Sequence, residues 1–252
     1  MTGLLRWGYV PEGGARAVVL VLHGGREHGL GPARSWQPAA LRMAGFGGPL
    51  RRATADGAVA LGAVRYRHRG WNGDRADAAQ DALAALDTVA ARFGPVPVVL
   101  LGHSMGGRAA LRAAGHRAVT GVVALAPWCP AEDPCEQLAG RTLVTLHGDR
   151  DTVTDPAATR AFAARARAAG AAVAGIEVAG GDHAMLRRGR DWHLGAAGLV
   201  AALLGLRPVP GPVAAALALR GPGGAPGDGG APGAGDGWAD GLRIGLPTAR
   251  RR

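Results

Sequence analysis

Six residues define the chemistry open to this chain: Gly102-His103-Ser104-Met105-Gly106-Gly107. They follow four apolar residues, Val98-Val99-Leu100-Leu101, and lead into an Ala-, Arg- and Leu-rich helical segment. A strand, a sharp turn carrying a serine, and a helix make the layout of a nucleophile elbow, Gly-x-Ser-x-Gly. The serine must hold a strained backbone conformation so that its hydroxyl projects above the sheet edge. Strand and helix then pass so closely that only glycine fits two residues before it and two after it. The chain has two serines, Ser35 and Ser104, and 43 glycines among 252 residues. Chance supplies only ~0.06 such patterns at that composition, before a strand ahead and a helix behind are required.

A serine hydroxyl attacks once a positioned imidazole can take its proton, and the imidazole needs a carboxylate to hold its tautomer. Eight histidines compete for the part of base. His103 adjoins the serine and is expected to face away from it. His23 and His147 end strands just before glycine, where structural hydrogen bonds are expected. His116 and His193 fall in helical segments, and His28 and His68 in early loops. His183 sits in a glycine-flanked loop after the last strand, so order and placement favour it. For the acid, the segment after residues 142–146 offers Asp149, Asp151 and Asp155. Asp155 precedes Pro156 and suits a helix N-cap. Asp149 and Asp151 both lie at the strand's end, and their placement leaves both open.

These residues need a scaffold, and the apolar pattern supplies one. Strands are expected at residues 4–10, 17–22, 58–66, 96–101, 119–126, 142–146 and 172–178. Helices are expected at 36–44, 49–54, 74–93, from the elbow to about 115, from Asp155-Pro156 to 169, and at 191–204. Alternation of this kind argues an α/β fold, a mainly parallel sheet with helices on both faces. Sites in such sheets form beyond the carboxyl ends of the strands, where each polar motif above falls.

Composition bounds the rest. The length suits one α/β domain, and 48% hydrophobic with 19% charged residues describes a soluble, globular chain. No apolar run reaches the length of a membrane span, and residues 1–8 lack a charged region followed by an apolar one. The expected location is cytoplasmic, with no membrane span. Net charge +10 raises nucleic-acid binding as a function. However, every basic residue is arginine, and Ala, Gly and Pro abound, the mark of GC-rich coding. The arginines are also scattered, apart from Arg250-Arg251-Arg252. No nucleic-acid partner is expected. Cys129 and Cys135 are too few for a zinc site or a disulfide framework, and reduced thiols are expected. From about residue 207 the chain becomes Gly- and Pro-rich, and 207–252 reads as a flexible tail, with a short helix at 212–219.

Gly102-His103-Ser104-Met105-Gly106-Gly107, His147-Gly148-Asp149-Arg150-Asp151-Thr152-Val153 and Gly181-Asp182-His183 resemble the three catalytic segments of the α/β-hydrolase superfamily. They come in its order of Ser, Asp, His. The resemblance covers roughly residues 3–206, taken as one α/β-hydrolase domain within 1–206. Its pattern puts the acid four residues after the histidine of His-Gly, which is Asp151. His23-Gly24-Gly25 resembles the oxyanion segment, which implies that the N–H groups of Gly25 and Met105 receive the developing charge. The superfamily's cap follows the strand ending near Trp128, where only residues 129–140 remain, so a minimal or absent cap is implied. Among familiar groups the chain resembles small bacterial serine esterases and monoacylglycerol-lipase-like and dienelactone-hydrolase-like proteins. Dienelactone hydrolases proper carry cysteine at the elbow, where this chain has Ser104. Trp71 and Trp128 each follow a strand's carboxyl end, and either wall a substrate pocket or pack as large side chains.

The resemblance implies a serine hydrolase of a small-molecule carboxylic ester, working through Ser104, His183 and Asp151 with no metal or organic cofactor. The alternatives are a thioesterase, a peptidase or another acyl hydrolase with the same triad, or a non-catalytic binding protein of the same fold. Oligomeric state is left open.

Overall fold

The computed structural model describes residues 3–219. Seven strands form one sheet: β1 (Leu5–Tyr9), β2 (Ala17–Leu22), β3 (Val59–Val64), β4 (Val98–His103), β5 (Val119–Leu125), β6 (Thr142–Gly148) and β7 (Ala172–Val178). Their order is β1-β3-β2-β4-β5-β6-β7. Only β1, at the edge, runs antiparallel; the other pairings are parallel. Ala17–Leu22 reads Ala-Val-Val-Leu-Val-Leu because it lies inside the sheet with a layer on each face, so both alternating sets of side chains are apolar. The same holds for β4, whose six residues are all buried.

Helices cover both faces. One face carries α3 (Asp77–Phe93), α4 (Met105–Ala113) and α5 (Pro156–Ala168), with Ala82, Leu86, Ala109 and Phe162 in its core. The other carries α1 (Pro38–Ala44), α2 (Gly47–Ala53), α6 (Gly189–Leu203) and α7 (Gly211–Ala218), with Phe46, Leu50, Trp192 and Val200 in its core. The expected Asp155-Pro156 start is present: the Asp155 carboxylate accepts the Ala157 N–H at 2.8 Å. The helix expected from residue 74 begins instead at Asp77. Ala76 takes a left-handed φ of 44°, and Gly73–Arg75 form a short 3-10 turn. The Asn72 amide, donating to Asp77 at 2.7 Å, holds that turn in place.

Within the stretch read as a tail, residues 211–218 form α7, whose Val213 and Ala216 are buried against the sheet. The rest of that reading, from 220 to 252, lies outside the described residues. Between β5 and β6, residues 126–141 contain only the 3-10 turn Glu136–Leu138, so no helical cap is inserted there. Cys129 and Cys135 are both buried free thiols. No helix among the described residues is long and apolar enough to cross a membrane.

Ser104 has φ 55° and ψ −122°, the strained conformation required of the elbow. A Cβ on Gly102 would overlap the Gly106 carbonyl, and one on Gly106 would overlap the carbonyls of Leu22 and His23. Gly198, inside α6, faces open space. Gly106→Ala is expected to destabilise by about 1–3 kcal/mol, a Tm loss of about 2–4 °C per kcal/mol. Gly198→Ala should raise Tm, because alanine is the better helix former by up to about 1 kcal/mol. Thermal unfolding of the two variants checks the contrast.

Candidate active site

β4 delivers Ser104 at the centre of the sheet. The residue's own backbone is tied down on several sides. Its N–H donates to Leu125 O at 3.0 Å, and its carbonyl accepts from Arg108 N at 3.1 Å and Trp128 N at 3.2 Å. Only the side chain is left to act. Its Oγ lies 3.1 Å from His183 Nε2. His183 is carried by the turn after β7, which packs on the end of β6: Arg150 N donates to Gly181 O at 3.0 Å.

On the far side of the imidazole, His183 Nδ1 is 2.8 Å from Asp151 Oδ2. A carboxylate only accepts, so Nδ1 carries the proton and Nε2 presents its lone pair to the serine hydroxyl. Asp151 is enclosed by donors. Oδ2 also accepts from His147 Nε2 at 3.1 Å and from the Thr154 hydroxyl at 2.9 Å. Oδ1 accepts the N–H groups of Val153 at 2.8 Å and Thr154 at 3.0 Å. Its side chain is sealed from solvent. Burial opposes the charge, but the hydrogen bonds from His147, His183 and the Thr154 and Val153 amides outweigh it. They hold the carboxyl well below the usual range. Asp149, the other candidate, turns outward and accepts the Gly180 N–H at 2.7 Å, so it braces the His183 loop and does not touch the imidazole.

Three residues gain parts that their local sequence did not reveal. His147 donates to Asp151, and its other nitrogen meets the Thr159 hydroxyl at 2.9 Å. Thr154 touches both Asp151 and His183. His103, expected merely to face away, reaches the backbone carbonyl of His183 with Nε2 at 2.8 Å. Burial and the neighbouring His183 push its pKa down to about 3, so it stays neutral. The signal for His147 was its four-residue spacing to Asp151; the His103 contact joins residues 80 apart and has no local signature.

Gly25 and Met105 are brought side by side. A Cβ on Gly25 would strike the Met105 thioether and the Arg69 carbonyl. No backbone acceptor among the described residues takes the N–H of either residue. His23 keeps to a structural place, with Nδ1 2.7 Å from Gly24 O and its ring 4.5 Å from that of Tyr66. Trp71 and Trp128 meet edge to face at 6.3 Å and line a cavity of about 360 Å³ together with Glu27, His28, Arg108 and Asp133. Among the described residues no cluster of three His, Cys, Asp or Glu is placed to hold a metal ion.

The sequence model of the family described as serine aminopeptidase, S33, matches residues 13–145, just over half of the 252. The chain belongs to that family. The match takes in β2, the Gly25 turn and the elbow, and stops short of Asp151 and His183. A monoacylglycerol lipase from Paleococcus ferrophilus superposes with a TM-score of 0.58 at 17% identity, covering 81% of this chain and 100% of that one. An α/β serine hydrolase without lid from Xanthomonas campestris does so at 0.55 and 18%, covering 82% and 89%. Est1E from Butyrivibrio proteoclasticus, solved with ferulic acid, gives 0.57 and 13% over 80% and 96%. At such identities the likeness is one of fold, here that of the α/β hydrolases. None of the curated protein sequences compared with it matches.

A carboxyl whose pKa falls on folding stabilises the folded hydrolase once pH exceeds its unfolded value of about 3.9, and that contribution fades as pH drops below it. Asp151→Asn is therefore expected to lower Tm by an amount that is steady above about pH 5 and narrows below about pH 4. Thermal unfolding of both proteins across that range checks it; a gap that widens on acidification would contradict the assignment.

Proposed function

We propose that this hydrolase cleaves small carboxylic esters through an acyl-enzyme on Ser104. The observation that carries the reading is the continuous line from Ser104 Oγ through His183, 3.1 Å and then 2.8 Å, to the enclosed carboxylate of Asp151. Ser104 Oγ attacks the ester carbonyl while its proton passes to His183 Nε2. Asp151 keeps the ring oriented and stabilises the imidazolium. The tetrahedral oxyanion lies against the N–H groups of Gly25 and Met105; losing one such donor costs on the order of 3 kcal/mol. Collapse expels the alcohol, which takes the proton back from His183. A water activated by the same ring then releases the acid.

Two features favour a small, accessible ester. The segment between β5 and β6 inserts no helical cap over the site. Similar folds include a monoacylglycerol lipase and a protein seen with ferulic acid. The family description favours one second reading, the same attack on the amide of a peptide N-terminus. Glu27, Asp74 and Glu132, which line the cavity of Trp71 and Trp128, are carboxylates that suit a free amine.

The test is a burst assay with p-nitrophenyl acetate through decanoate on wild type and Ser104→Ala, with an aminoacyl p-nitroanilide series beside it. A stoichiometric burst on esters that vanishes in Ser104→Ala is the expected result, and the chain-length profile then sizes the pocket. Turnover confined to the anilides would replace the ester reading with the peptidase one.

A further inference from the structure

Arg108 is a buried arginine on the helix that follows the elbow. It stands on the first turn of α4, and its N–H donates to the carbonyl of Ser104 at 3.1 Å. Its guanidinium carbon lies 4.0 Å from the ring centre of Trp71 and 4.2 Å from that of Trp128. Nε and Nη2 donate to the two oxygens of Asp133 at 2.6 and 2.8 Å, a planar fork meeting a planar carboxylate. Arg108 is 7% exposed and Asp133 4%. Taking two charges out of water is unfavourable, and an apolar pair of similar volume would hold a core as well or better. What the ionic fork adds is a fixed direction.

That direction reaches the oxyanion donors. Trp71 follows β3, while Trp128 and Asp133 follow β5, so one guanidinium joins the nucleophile helix to two loops. The loop holding Trp71 is bonded in turn to the segment after Gly25: Arg26 N to Arg69 O at 3.0 Å, Trp71 N to Arg26 O at 2.8 Å and Asn72 N to Glu27 O at 2.9 Å. The second loop returns to the elbow through Trp128 N and Ser104 O. Gly25 belongs to one side of this bracket and Met105 to the other.

We infer that Arg108 is a positioning residue: by clamping Trp71 and Trp128 it sets the separation of the Gly25 and Met105 N–H groups and fixes one wall of the cavity that the two tryptophans line. It acts through those groups and does not meet the reacting atoms. Lysine cannot replace it, because an ammonium has neither the fork nor the flat face.

The inference rests on Ser104 being the nucleophile, so the experiment uses a reagent that needs no particular substrate. A fluorophosphonate is added and Ser104 labelling is followed by intact mass. Oγ bonds to phosphorus, fluoride leaves with the electron pair of the P–F bond, and the hydroxyl proton goes to His183. The phosphoryl oxygen takes the oxyanion's place. Wild type, Arg108→Lys and the double variant Arg108→Met with Asp133→Leu are compared; the double variant removes both buried charges together, so neither is left unpaired. The expected result is complete labelling in every case, with rates lower on the order of tenfold to a hundredfold in the variants. Full labelling at the wild-type rate would overturn the clamp. So would a reduced labelled fraction that reacts at the wild-type rate, since a purely structural role changes how much protein is folded and not how fast a folded site reacts. Wild type that takes no label would defeat the nucleophile assignment and the clamp with it, whereas labelling without ester turnover would defeat the ester reading alone.

Discussion

The carboxylate of Asp151 is the constraint from which the site is built. A charge sealed from solvent is tolerable only when its lone pairs are filled, and here five donors fill them: two imidazoles, a hydroxyl and two backbone amides. Each donor comes from a place the fold must supply. His147 ends β6, Val153 and Thr154 lie in the following turn, and His183 arrives from beyond β7. Satisfying the carboxylate therefore brings two strand ends together and settles the tautomer of the imidazole that faces Ser104. An acid in so complete a cage stays ionised, because the hydrogen bonds it accepts favour the charged form. In the proposed reaction its part is orientation and a standing negative charge against an imidazolium.

Around that anion the sheet does the rest. A parallel core strand, buried on both faces, ends in a serine whose strained φ is maintained by close approach of β2, β4 and α4. Close beside it, Gly25 packs against the Met105 side chain and the Arg69 carbonyl, where a side chain would not fit. Two further contacts steady this arrangement from outside: His103 to the main chain of His183, and Arg108 to the loops on either side of the elbow.

Much of this was legible in the residue order because local physics encodes it. The elbow is spelled by glycines that backbone proximity demands, and the strands by apolar runs that a two-faced layer demands. His183 could be singled out by its place after the last strand. Asp149 and Asp151 could not be separated by placement, since both leave the same strand; family pattern, then geometry, distinguished them. One turns back toward His147 while the other caps the Gly180 amide. The start of α3 was misplaced because Ala76 takes a left-handed conformation that its side chain does not announce. The His103 and Arg108 contacts escaped for a different reason. Each joins segments far apart along the chain, and such pairings arise only when the sheet is assembled.

The central claim is that the carboxylate facing His183 belongs to Asp151, and it is tested most directly by the hydrolysis of p-nitrophenyl butyrate by Asp151→Asn and Asp149→Asn side by side. The account predicts that kcat falls on the order of 10⁴-fold for Asp151→Asn, because an amide there holds the wrong tautomer of the imidazole. Asp149→Asn should stay within about tenfold of wild type, since it loses one exposed bond to a loop amide. The opposite ranking would contradict the account and make Asp149 the acid.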